Sequence, residues 1–146
     1  MKNRLRRERS TRRKDNAKES GREMTIQECY RQLGGDFAQA RKRLPSEKLI
    51  SRFLVKFPDD SSFSSLCTAM EEGDRGKAFR AAHTLKGVSG SLSLERLFSS
   101  ASRLTELLRP EAEEIPAGAH SLFEEVQQDY RLAVRVIRSY SASCGS

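Results

Sequence analysis

Apolar residues recur at helical spacing through most of the chain after Met24, and no stretch shows the strict alternation of a half-buried strand. The pattern therefore predicts helices joined by short turns. A first helix is predicted over Thr25 to Leu33, with Thr25 as N-cap and Glu28 completing a capping box. Gly34-Gly35 stops it. Asp36 caps a second short helix through Leu44, before Pro45. Ser46-Glu47 opens a third through Phe57, with Leu49, Ile50, Phe53, Leu54 and Phe57 as its apolar stripe, and Pro58 with Asp59-Asp60 breaks or kinks it. Ser62 to Glu72 continues with Phe63, Leu66, Cys67 and Met70 on one side. Gly73 ends that piece, and Asp74 caps a helix running to Leu92.

After a tight turn, Leu94 to Arg109 carries the stripe Leu97, Phe98, Ala101, Leu104 and Leu108. Residues 110–116 form a loop with three acids. The last helix is predicted from Ala117 to Tyr140, with Ser121 and Glu124 spaced as a capping box near its start. The resulting fold class is all-α: an antiparallel four-helix bundle with the two short N-terminal helices packed across one end. The domain spans residues 24–140, and residues 141–146 are a tail that frays.

Charge adds a second region to this picture. Of the formal net charge of +7, residues 1–24 supply +6, from ten Lys/Arg against four acids, leaving +1 for the other 122 residues. A segment so basic and so poor in apolar residues cannot bury enough surface to offset its ordering entropy, so residues 1–23 are expected to be a solvated extension, disordered or a loosely formed helix. Met24, where the globular pattern begins, reads as an alternative start. No apolar run approaches the roughly 20 residues of a membrane span, and no apolar segment follows the basic N-terminus as in a secretory signal. Cys29, Cys67 and Cys144 are odd in number and widely spaced. They read as free thiols of a cytoplasmic protein.

Candidate chemistry is concentrated in AAHTLKGVSGSL, Ala81 to Leu92. At about 100° per residue, Ala78, Ala81, Leu85, Val88 and Leu92 share one stripe. His83 lies opposite, flanked by Lys86, Gly87 and Gly90. Each mid-helix glycine costs about 1 kcal/mol relative to alanine. What it provides is access, because without a Cβ another molecule can approach the imidazole closely. Neutral histidine, abundant near pH 7, has a free nitrogen lone pair, and the lysine favours an added anion. This is a face on which an imidazole receives a negatively charged group, most simply a phosphoryl. A metal site is disfavoured, because no His, Cys or acid stands three or four residues after His83. No nucleophile elbow serves Ser89, and no ATP-binding glycine loop occurs. His120 reads as a surface residue without function.

The run from Ala82 to Leu97, AHTLKGVSGSLSLERL, resembles the signature of histidine-containing phosphotransfer (HPt) domains of bacterial phosphorelays. The resemblance extends from about Met24 to Tyr140 in helix order, and its specific residues are His83, Lys86 and Gly87. It implies that His83 holds a phosphoryl group, that Lys86 neutralises it and that Gly87 keeps the approach clear. Gly90, by its helical angle, and Arg80, as an exposed neighbour of His83, are read onto the same docking face without support from the resemblance. It implies a phosphoryl carrier rather than an enzyme, monomeric, with no cofactor of its own. Mg²⁺ and the aspartate belong to the partner, a response-regulator receiver domain or a hybrid histidine kinase; no membrane or nucleic-acid partner is expected. Ser102, Thr105 and Glu106 are the candidates on the following helix for orienting the imidazole. Ser93 stands where family members often carry glycine, so a different turn is expected there. The competing reading is an unphosphorylated helical interaction module, with nucleic-acid binding through the basic N-terminal segment.

Overall fold

The computed structural model describes residues 23–144. The basic N-terminal segment, apart from Glu23, lies outside the described residues. Among these residues are seven α-helices: α1 (Ile26–Leu33), α2 (Phe37–Arg43), α3 (Glu47–Lys56), α4 (Ser62–Glu72), α5 (Arg75–Ser91), α6 (Glu95–Leu107) and α7 (Gly118–Ser143). One 3-10 turn, Phe57–Asp59, holds Pro58. No strand occurs among the described residues, and none of their helices is long and apolar enough to cross a membrane.

The helix starts follow from short polar side chains that accept orphan N–H groups. Thr25 and Glu28 form the reciprocal box, at 3.1 and 3.3 Å. Asp36, Ser46 and Asp74 accept from the N–H of Gln39, Leu49 and Lys77 at 3.0, 3.1 and 3.0 Å. Each such cap stabilises its helix by about 1 kcal/mol. Gly34 and Gly73 close α1 and α4 in the left-handed region, at φ 66° and 69°. The box expected at Ser121 does not form: α7 begins at Gly118 after Ala117, without a side-chain cap, which puts Ser121 inside the helix. α7 also continues to Ser143, past the expected end at Tyr140. Ser143 Oγ accepts the Met24 N–H at 3.0 Å, which ties the end of α7 to the start of α1.

α5 packs between α4 and α6, α6 packs against α7, and α1 and α3 lie on α7. The core is built from Leu66 and Met70, from Ala78, Ala82 and Leu85, from Leu97, Leu104 and Leu108, and from Val126 and Ile137. The buried arc of α5 is rotated from the predicted stripe. Ala82 and Ser89 are fully buried, whereas Val88 is half-buried, because α5 has a neighbour on both flanks. Ser89 is accommodated by donating to the Leu85 carbonyl at 2.8 Å. Phe53, placed in the α3 stripe by its spacing, is 43% exposed. Ile50, Leu54 and Phe57 fill the space beneath α3 instead.

The N-terminal helices hold the α5–α6 turn. The Tyr30 hydroxyl donates to the Leu92 carbonyl at 2.8 Å, and the Asp36 N–H donates to the Ser93 carbonyl at 2.9 Å. Arg43 donates from Nη1 to the Gly90 carbonyl and to Ser93 Oγ. Ser93 has φ 55°, the left-handed conformation that glycine adopts without strain. The departure expected from a serine here therefore does not arise. The turn keeps a glycine-like backbone, and the cost, about 1–2 kcal/mol, is offset by the bonds to Ser93 from Asp36, the cap of α2, and from Arg43 of α2.

Burial, with a smaller contribution from nearby Cys144, pushes the Cys29 thiol up from 9.0 to about 12. Burial likewise raises the Tyr30 phenol. Both groups stay protonated in the folded chain at pH values where the unfolded chain has released their protons. Their contribution is complete below about pH 9 and is lost as pH rises from there toward about 12. Urea midpoints are expected to fall steadily between about pH 9 and pH 11, and to fall less in Cys29→Ala measured against its own neutral value.

Candidate functional site

α5 presents His83 to solvent because its apolar and small residues are turned into the bundle. The imidazole makes no hydrogen bond to the described residues. Its neighbour is Phe79, one turn back, with ring centroids 6.0 Å apart and planes 14° apart. Phe79 is half-buried and packs against the core, so it anchors one flank of an otherwise open ring. Its contact with His83 was readable in the i, i+4 spacing.

Lys86 is half-buried, and its ammonium makes no ion pair with the described residues. A Cβ placed on Gly87 would meet nothing within 4 Å, so the approach over that turn is open. Arg80 is exposed and folds back along α5, its Nη1 3.7 Å from where a Gly76 Cβ would stand. Arg80 and Thr84 also border a groove of about 540 Å³ between α5 and the hydroxyl-rich flank of α4, which is lined by Ser64, Ser65 and Thr68.

Gly90 differs from the docking-face expectation. A Cβ there would sit 3.0 Å from two ring carbons of Phe98, which reaches across from α6. The missing side chain serves close packing of α5 on α6, and the Arg43 guanidinium takes the Gly90 carbonyl. A helical wheel could not reveal this, because Phe98 wraps around the outer flank of α5 from another helix.

None of the three α6 candidates hydrogen-bonds to His83. Thr105 is buried, and its hydroxyl donates to the Ala101 carbonyl at 2.7 Å. Glu106 is exposed and pairs with Arg109 at 3.1 Å. Ser102 Oγ is buried without a hydrogen-bond partner. His120 is exposed on the first turn of α7. Among the described residues no group of three or more His, Cys, Asp or Glu is arranged to hold a metal ion.

The site is thus an exposed imidazole with a cation and an open glycine beside it, on the second of four successive packed helices. No curated protein and no solved structure shows significant similarity to the chain. The family model of the Hpt domain, however, matches residues 48–134. The match spans α3 through most of α7 and contains His83, Lys86 and Gly87. Hpt domains act in general as histidine phosphocarriers of phosphorelays rather than as catalysts, and work with response-regulator receivers and histidine kinases. The chain belongs to the Hpt domain family.

Proposed function

We propose that His83 is the phosphoryl-accepting residue and that it exchanges the group with the aspartate of a receiver domain. The observation carrying this reading is the exposed His83 imidazole beside Lys86, which makes no ion pair among the described residues, and the open face at Gly87. In the step itself, the lone pair of the unprotonated ring nitrogen forms an N–P bond as the acyl-phosphate P–O bond breaks. The electron pair of that bond returns to the aspartate as carboxylate. The other ring nitrogen keeps its proton, so the cationic ring partly balances the phosphoryl charge, and Lys86 supplies the remaining compensation. Mg²⁺ is held by the receiver, and this chain contributes the acceptor and the docking face. Of the α6 candidates, Ser102 has the uncommitted hydroxyl, and we assign it the role of partner to the ring when the side chain turns inward. The short α4–α5 and α5–α6 connections and the packing order support an antiparallel arrangement of α4 to α7, with the His83 face on its outside.

The test is incubation of the protein with a panel of phosphorylated receiver domains. The expected result is transfer of an acid-labile, base-stable label to this chain. Gly87→Ala separates docking from folding. The added methyl meets open space and removes a helix-interior glycine, so stability is expected to rise by about 1 kcal/mol. Transfer is expected to fall about tenfold or more, since a small outward displacement of the reacting groups is costly. A variant that gained stability and kept full transfer would remove Gly87 from the docking face.

A further inference from the structure

The outer groove between α4 and α7 contains no residue of α5 and has a volume of about 700 Å³. The two helices meet there through Phe63 and Tyr130, whose rings stack at 3.9 Å with planes 10° apart. Val134 extends this half-buried apolar floor. Arg131, Arg135 and Arg138 form its rim. All three are exposed, and none forms an ion pair among the described residues. From Tyr130 to Ser146 the chain has these three arginines and no acid. Asp60 and Asp59 act on the Tyr130 phenol at one end of the groove, and Glu71 and Arg131 both act on the Cys67 thiol. Arg138 acts on the Tyr130 phenol as well, and the groove lining itself holds three arginines and no acid.

We propose that this groove is a second docking surface, for an acidic amphipathic helix of a partner protein, separate from the His83 face. An apolar floor with a cationic rim matches a helix with aliphatic residues on one face and carboxylates beside them. The arginines stand at i, i+4 and i+7, the spacing at which glutamates recur along one side of such a helix. Single-stranded nucleic acid fits less well, because Phe63 and Tyr130 use ring faces on each other that a base would need for stacking. The chain's own residues 1–22 carry ten Lys/Arg against three acids, so their charge opposes the rim. Phe63 lies on the flank of α4 opposite Ser64, Ser65 and Thr68, which border the groove beside Arg80. A helix seated on Phe63 therefore leaves the His83 face free, so a tethering partner and a receiver can be bound together.

The test uses the full chain and a labelled helical peptide with leucines at i, i+3, i+4 and i+7 and glutamates flanking them. A peptide with glutamine for glutamate and an oligothymidylate serve as comparisons. The glutamate peptide is expected to bind and to shift the amide NMR signals of Phe63, Tyr130 and Val134. Arg135→Gln with Arg138→Gln is expected to weaken it about tenfold. His83→Gln is expected to bind it unchanged, so this result stands apart from the phosphoryl assignment. Equal binding of the glutamine peptide, no loss in the arginine variant, or shifts confined to other residues would overturn the proposal. So would tighter binding of the oligothymidylate at these residues, or self-association of the chain through the groove without peptide.

Discussion

His83→Gln is expected to abolish label transfer from every receiver that labels the wild-type chain. Glutamine keeps a polar side chain of similar reach but has no nitrogen lone pair able to form the N–P bond, so the loss should be complete. The fold should be untouched. His83 is exposed, makes no hydrogen bond to the described residues, and packs among them on Phe79, and surface substitutions of this kind change stability by about 0.5 kcal/mol or less. Thermal unfolding of the variant should therefore overlay that of the wild type while transfer disappears. Labelling of His83→Gln at the wild-type level would sink the assignment and move attention to His120, the other histidine of the chain. Replacing Lys86 by glutamine should leave the acceptor intact and slow transfer, which separates the nucleophile from the group that stabilises its product.

Gly35→Ala is the substitution expected to damage the fold most, although Gly35 lies far in sequence from the histidine. A Cβ there would stand 2.8 Å from the Ser93 carbonyl oxygen and 3.0 Å from the Tyr30 ring. The oxygen belongs to the backbone of a turn and cannot rotate away. It also accepts the Asp36 N–H, and the Leu92 carbonyl beside it accepts the Tyr30 hydroxyl. Relief of the clash has to stretch these contacts and lift α1 and α2 from the α5–α6 turn. The combined cost of overpacking and a weakened buried hydrogen bond is about 2–4 kcal/mol. Denaturant unfolding should show a free energy of unfolding lowered by that amount, seen as a lower midpoint at unchanged slope. An unchanged midpoint would mean that the N-terminal helices do not brace this turn. Transfer by the part of the population still folded should be little altered, because His83 lies more than two helical turns before Ser93.

Features governed by neighbouring residues were legible in the sequence. The caps at Thr25, Asp36, Ser46 and Asp74 and the left-handed ends at Gly34 and Gly73 depend on bonds reaching three to five residues, and all occur where the pattern places them. The outward direction of His83, Lys86 and Gly87 was equally available, since the face of a helix is a matter of angle per residue once the apolar stripe is known. Phe53 shows the limit. Its spacing fits the α3 stripe, but whether a position on the margin is covered depends on which helix lies over it. The same holds for Val88 and Ser89, whose burial exchanged places because α5 is packed on two flanks.

The sequence by itself therefore determined the number of helices, the limits of those with a polar cap or a closing glycine, and the face that carries the imidazole, because backbone hydrogen bonding and helical periodicity are local. Only the tertiary structure decided that Gly90 accommodates Phe98 while Gly87 stays open, that Ser93 holds a glycine's conformation under Arg43 and Asp36, and that three arginines of α7 border an aromatic floor supplied partly by α4. Each of these depends on a side chain from another helix, and a periodic pattern contains no term for such a partner.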